Sequence, residues 1–356
     1  MAMPGWKPRN DGASHPQARS LALYRPAVFG LPRIVFINGA YDAAHSTPPD
    51  FLQDFATVAE ASDLPLALIN AEQARDGMTL TIPPGVDAGA VLLVSYASGT
   101  DNPVALHPRH SITLGAGAKL TLIEIAMGQG VYWHNPVTDI ALQENATLAH
   151  YRLQNEGVDA FHLATIRSKI AAGAGYESFS LVIGARLSRA EFHVTMLGPK
   201  ATTHLNAAQL LDGHQHADFT SVVAHEAPNC SSRQTVKSVL DGNSRGVFQG
   251  RIEVARIAQK TDGYQMNQAL LLSPHAEIDI KPELEIFADD VKCSHGATIG
   301  ALDAEQIFYL RSRGIPEVEA RALLIRAFLT EALEAVTHTA AQELFETAIE
   351  KYWAGK

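Results

Sequence analysis

Two cysteines, Cys230 and Cys293, are all that 356 residues contain. That scarcity excludes a disulfide-built scaffold. It also excludes a Cys-only zinc or iron–sulfur site held by one chain, which needs about four thiolates. Long apolar runs are missing as well. None reaches the roughly 20 residues of a membrane-spanning helix, and residues 1–20 lack the apolar stretch of a secretory leader. Positive charge is not in excess: the net charge is −10 and the isoelectric point about 5.8. Phosphate-backbone binding, and with it a nucleic-acid partner, is therefore not expected. No Walker-type loop, Rossmann fingerprint or serine elbow is present. Together these absences lead to the expectation of a soluble, reduced, cytoplasmic protein with no membrane partner.

What is present is material for a large core. Hydrophobic residues make up 46% and charged residues 19%, which excludes wholesale disorder. Residues 1–33 are rich in Pro, Gly and charge and read as a loosely ordered arm. The run Ile34-Val-Phe-Ile37 reads as a strand ending in an Asn38-Gly39 turn. Phe51, Leu52, Phe55 and Val58 fall at helical spacing behind Asp50, a potential N-cap, so a helix is expected over 50–62. These segments make a small mixed N-terminal region, 1–88.

Over 89–300 the texture is mainly β. Short runs such as VLLVSYA (91–97), KLTLIEIA (119–126) and GVFQGRIEVA (246–255) alternate with Gly, Asn and Asp turns. An alanine follows the turn at Ala118, Ala146, Ala174 and Ala201, in steps of 28, 28 and 27 residues. A fixed step of that size marks a solenoid, in which each repeat buries its apolar face only by stacking on the next. Without intervening helices it should be a β-helix; a β-sandwich with evenly spaced turns is the alternative. Over 301–356 the pattern becomes helical, and a C-terminal helical cap is expected. Asp303-Ala-Glu-Gln306 is a capping-box pattern, Gly314 a natural stop, and Pro316 fits the first turn of a second helix. Thr339-Ala-Ala-Gln342 repeats the box before a third.

The strongest chemical signal is Asp289-Asp290-Val-Lys292-Cys293-Ser-His295. Residues i and i+2 of a strand face the same way, so Cys293 and His295 share a face. Lys292, or a protonated His295, would lower the thiol pKa. Thiolate and imidazole are ligands for iron, zinc or copper. Two side chains do not complete a site, and a half-buried Cys beside a solvated His is the plain structural reading. A thiol nucleophile with His295 as base and Asp289 or Asp290 behind it is a further reading. His214-Gln-His216 could chelate a metal from one strand face, but no Asp, Glu or Cys sits at a closing spacing, and His193, His204, His214, His216 and His225 read more simply as outward polar positions of the solenoid. Phe308, Tyr309 and Leu310 are adjacent and cannot share one buried helical stripe. Part of that surface faces either a partner or the helix that follows.

Residues 246–330, in the stretches GVFQGRIEV, AQKTDGYQMNQALLLS, AEIDIKPELEIFADDVKCSHGATIGALD and FYLRSRGIPEVEARALLIRAF, resemble the SufB/SufD family of iron–sulfur cluster assembly scaffolds. IVFINGAY (34–41) is similar to the family's early strand, and DVKCSHGAT resembles its SufD branch rather than SufB. The resemblance implies a right-handed parallel β-helix between helical terminal regions, and a non-catalytic scaffold of the SUF system. It implies pairing with a SufB-like paralogue through the β-helix ends, and a SufC-like ABC ATPase on the C-terminal helices whose ATP use moves the SufB–SufD interface. It implies a transient iron–sulfur cluster shared across that interface, with His295 and Cys293 beside it and no tightly bound cofactor in the isolated chain. The ATPase contact falls over 303–330, here Phe308, Tyr309, Leu310, Arg311, Arg313 and Gly314. An isolated chain is expected to form a homodimer through its free β-helix end. The short Pro/Gly-rich arm departs from the longer helical N-terminus usual in relatives.

Overall fold

The computed structural model describes residues 30–55 and 62–354. All but the end of the arm over 1–33 lies outside these. The described strands are β1 (Arg33–Ile37), β2 (Ala40–Tyr41), β3 (Leu52–Gln53), β4 (Thr79–Ile82), β5 (Asp87–Leu106), β6 (Arg109–Leu114), β7 (Lys119–His134), β8 (Val137–Leu142), β9 (Thr147–Glu156) and β10 (Phe161–Ile170). They continue as β11 (Gly175–Val182), β12 (Leu187–Met196), β13 (Thr202–Leu211), β14 (His216–His225), β15 (Ser231–Leu240), β16 (Arg245–Val254), β17 (Asp262–Leu271), β18 (Glu277–Ile286) and β19 (Lys292–Gly300). The helices are α1 (Pro65–Gln73), α2 (Ala304–Ser312), α3 (Glu317–Leu333) and α4 (Thr339–Ala354).

Strands two apart in sequence pair in parallel. One stack runs β1–β5–β7–β9–β11–β13–β15–β17–β19 and the other β4–β6–β8–β10–β12–β14–β16–β18. The result is a parallel β-solenoid of about eight turns. Along the first stack the strand-opening residues Thr147, Gly175, Thr202, Ser231, Asp262 and Lys292 are register partners, 28, 27, 29, 31 and 30 residues apart. Each rung alternates, with every second side chain directed between the sheets.

The alanine period marks the inside of one corner. Ala118, Ala146, Ala174 and Ala201 are all fully buried. Each passes its carbonyl to the strand above, as in Thr147 N to Ala118 O at 2.9 Å and Ser231 N to Ala201 O at 3.1 Å. The residue before each is left-handed: Gly117, Asn145, Gly173 and Lys200, with φ between 58° and 69°. Gly and Asn adopt that conformation at little cost, whereas Lys200 does so only under the constraint of its neighbours. Cys230 occupies the same corner one turn later, behind left-handed Asn229 (φ 61°). It is 1% exposed, and its Sγ donates to Gly198 O at 3.3 Å. The second thiol is thus a corner residue in an alanine's place.

The first turn is built as the Ile34–Ile37 strand and Asn38-Gly39 turn predict: β1 and β2 form a hairpin with φ of 48° and 76° at its two turn residues. The helix expected over 50–62 does not form in its described part. Leu52 and Gln53 are instead a short strand antiparallel to β4, because Leu52 pairs with Leu80 and Phe51 packs on the solenoid core. Residues 56–61 lie outside the described residues.

Asp303 caps α2, its Oδ1 accepting from Glu305 N (2.8 Å) and Gln306 N (3.3 Å). Pro316 is the N-cap of α3 rather than its first turn. Helices α3 and α4 lie along the flank of the first stack. Ile325, Leu329, Leu344, Phe345 and Ile349 pack on the outward residues Tyr151, Leu153, Phe179, Leu181 and Val239. Full burial of one such side chain contributes about 2 kcal/mol. Lys237, 2% exposed, points outward into this seam; its Nζ reaches Glu331 Oε2 at 2.5 Å and sits 4.6 Å from the Phe328 ring centre. Because the helices take the flank, among the described residues no strand pairs the outer edge of β18 or β19.

Candidate functional site

The open last rung carries the Cys–His motif. Cys293 pairs with Gly263 and His295 with Gln265, both inward positions of β17. Alternation therefore turns the two side chains toward the space between the sheets at the solenoid's end, on one face as their spacing predicts. Gly263 gives Cys293 room: a methyl there would lie 3.3 Å from Sγ and 3.2 Å from Ile252 Cδ1. Cys293 is half-buried beside Leu284 and Val291, and it lines an open depression of about 450 Å³ with Arg233, Asp262, Tyr264, Lys292 and Ser294. His295 is exposed.

Desolvation pushes the Cys293 thiol above its usual pKa, with Asp262 adding to the rise. This overturns the expectation that Lys292 or His295 lowers it. Lys292 leaves the strand on the opposite, exposed face. The half-burial that shelters the sulfur penalises its charged form. A nucleophile depends on easy ionisation, so the thiol-enzyme reading has little here to stand on. Among the described residues no third His, Cys, Asp or Glu joins Cys293 and His295 to form a three-ligand group.

Beneath this rung the interior is polar. Gln265 and Asn267 are fully buried, and their side-chain amides have no protein partner among the described residues. Below them Ser221 Oγ donates to Gln234 Oε1 (2.5 Å). His225, read from sequence as outward, is in fact fully buried and 3.0 Å from Ser232 Oγ. Burial pushes it down to about 4. His193, His204 and His216 are partly buried, and His214 is exposed.

The residues expected from sequence to meet an ATPase lie on α2 and at its C-terminal end. No residue of α2 is buried; Phe308 is 74% exposed and Tyr309 56%. Arg313 lies over the Tyr309 ring at 5.2 Å, Arg311 pairs with Glu317 at 3.1 Å, and Gly314 takes φ 86° to end the helix. Leu310 is half-buried.

Sequence reasoning missed two buried clusters further back in the solenoid. In the first, Glu124 Oε2 accepts from Arg152 Nε (3.1 Å) and lies 2.9 Å from His150 Nε2. Burial opposes the charge of Glu124, but Arg152 and the His150 hydrogen bond outweigh it and hold the carboxyl well below the usual range. In the second, Glu156 Oε1 is 3.1 Å from His134 Nδ1, and Oε2 is 2.7 Å from His162 Nδ1. Burial holds His162 low. A signal for both was available: Glu124 and Arg152, and likewise His134 and His162, are register partners 28 residues apart, the same step as the alanines.

A β-solenoid with an open, Cys- and His-bearing end rung and an uncovered helix beside it is the class of molecule these features define. The family model described as "SUF system FeS cluster assembly, SufBD core domain" matches residues 96–328. The chain belongs to that SufBD family. It is 33% identical to the iron–sulfur cluster assembly protein SufD of Escherichia coli, covering 91% of this chain and 79% of that one. It is 34% identical to protein ABCI7, chloroplastic, of Arabidopsis thaliana, over 83% of this chain and 65% of that one. A SufBD family protein of Synechocystis is also 34% identical, over 75% and 62%. The chain thus spans less than two thirds of the length of the last two. A relative named chloroplastic shows that family membership does not fix a compartment. No helix among the described residues is long and apolar enough to cross a membrane.

Proposed function

We propose that this chain is a non-catalytic SufD-like scaffold subunit of the SUF system, which presents its open end rung to a SufB-like paralogue and its helix α2 to a SufC-like ATPase. The observation that carries the reading is the last rung itself. Two side chains with affinity for iron sit on one face of a strand whose outer edge is unpaired, and no third ligand joins them from the described residues. A transient iron–sulfur cluster there takes its remaining ligands from across the interface. His295 offers an exposed imidazole; Cys293, with its raised pKa, offers a thiolate only when a metal displaces its proton. The unpaired edges of β18 and β19 are templates for strand addition by the paralogue, or by an identical copy when the paralogue is missing.

For the ATPase, the exposed Phe308 and Tyr309 have the character of interface anchors, with Arg311, Arg313, Leu310 and Gly314 around them. Turnover of ATP belongs to the partner. The test is reconstitution with SufB- and SufC-like partners. His295→Ala should lower cluster yield with the complex intact, and Phe308→Glu should lose the ATPase while the solenoid stays folded. Full cluster yield in a Cys293→Ala/His295→Ala protein would instead favour an interaction-only scaffold.

A further inference from the structure

The buried trio His134, Glu156 and His162 is far from the end rung in sequence, and it has the make-up of a metal centre. His134 is the last residue of β7, Glu156 the last of β9, and His162 the second of β10. The trio therefore forms where the chain turns from one sheet to the other. His134 and His162 are stacked register partners in successive turns, with ring centres 5.0 Å apart at 83°. Glu156 comes to both from that corner. One ligand atom from each residue lies within 4.8 Å of the other two.

Three observations distinguish this cluster from an ordinary buried hydrogen-bond network. First, His162 Nδ1 lies 2.7 Å from Glu156 Oε2 and His134 Nδ1 lies 3.1 Å from Oε1, so two imidazoles converge on one buried carboxylate. Second, the two buried carboxylates of the interior are neutralised differently. Glu124 has the Arg152 guanidinium, whereas Glu156 is held by imidazoles and by the Gln154 amide at 2.8 Å. A bound cation would supply the missing positive charge. Third, the supporting residues suit a ligand. Gln154 fixes Oε2 of Glu156 while its own Oε1 accepts from Gly184 N at 3.2 Å, so the carboxylate is oriented from behind. A groove of about 810 Å³, lined in part by Asp159, Arg186 and His214, lies beside the β9–β10 corner, and the Glu156 carboxylate is buried beneath it.

We infer that His134, Glu156 and His162 form a buried binding site for a single first-row divalent transition-metal ion. Two imidazoles and one carboxylate are a borderline donor set, suited to iron(II) or zinc(II) and poorly suited to calcium or magnesium, which take oxygen ligands. With only three protein ligands, the ion keeps open positions. The inference does not need the proposed role of the end rung, because it concerns a different part of the solenoid.

The test uses cobalt(II) as a coloured probe on the full, chelator-stripped chain. The wild type should take up one cobalt per chain with visible d–d absorption. Cys293→Ala/His295→Ala should bind equally, and His134→Gln/His162→Gln should lose at least tenfold in affinity. Zinc(II) or iron(II) should displace the cobalt. No uptake, equal uptake by the His134→Gln/His162→Gln protein, loss in the Cys293→Ala/His295→Ala protein, or failure of both metals to compete overturns the site. If the ligand variant does not fold, a wild-type crystal soaked in cobalt decides by anomalous scattering. A peak between the three side chains supports the assignment; no peak there refutes it.

Discussion

Acid should unfold this solenoid partly through histidines that carry no charge in the folded state, and His225 allows the effect to be measured. It lies fully buried at the end of β14, and burial brings its pKa from 6.5 to about 4. The unfolded chain therefore binds a proton at pH values where the folded one does not. Stability from this residue is complete above about pH 6.5 and is lost as the pH falls through that value toward 4. At pH 5 an unfolded histidine is almost wholly protonated and the folded one about a tenth so, a loss of about 2 kcal/mol relative to pH 7.5. His110 is likewise buried and pushed down to about 4, so its contribution runs the same way. Glu124 works outside the window. Its depressed carboxyl adds stability above its unfolded value of 4.5, which is lost only as the pH falls through that region. The perturbation is His225→Gln, which keeps a polar group near Ser232 but does not titrate. Urea unfolding of wild type and variant at pH 7.5, 6 and 5 gives the comparison. The wild type should lose about 2 kcal/mol more than the variant across that range. Parallel pH dependences in the two proteins would refute the assignment of His225 as a buried neutral group.

Two other substitutions probe the packing. Cys230→Ala should cost less than about 1 kcal/mol in urea unfolding, because alanine already occupies that corner in four earlier turns and only a weak Sγ contact is lost. A loss above 3 kcal/mol would mean that the thiol is more than a corner filler. Glu331→Gln leaves the Lys237 ammonium beneath α3 without its carboxylate. Since Glu331 is 65% exposed, solvent already screens the pair and the cost should be about 1 kcal/mol rather than that of a fully buried pair. Restored stability in Lys237→Met/Glu331→Gln, against no change in Glu331→Gln alone, separates a strained burial from an unimportant one.

The solenoid was legible because its repeat is written in a residue that has one job. Ala118, Ala146, Ala174 and Ala201 recur since the inside of a corner behind a left-handed residue has space for little more than a methyl group. The period became hard to follow after Ala201 for a physical reason: Cys230 and then Thr261 fill the same corner, both fully buried. The Cys293–His295 pairing was readable because strand alternation alone places both on one face. Its chemistry was not, since the raised thiol pKa depends on Ile252, Leu284 and Val291, which only folding brings near. His225 was misread because one strand face looks like the other until the register says which points inward. The Glu124–Arg152 and His134–His162 pairs were hidden for the opposite reason. Polar residues one period apart look like separate surface positions until the rungs are stacked.

A stack of rungs behaves as a one-dimensional array, in which each unit is held by the interface on either side. The rung of β18 and β19 has only one such interface, and its inward residues Ile278, Ile280 and Leu284 remain half-buried. Local opening there costs less than anywhere else along the β-helix, so backbone amide exchange should be fastest on this rung and slow when a second surface completes it. Cys293 and His295, the proposed cluster ligands, thus sit on the part of the molecule held by only one neighbouring rung. Under the proposed pairing, docking and the readiness of Cys293 and His295 become a single equilibrium.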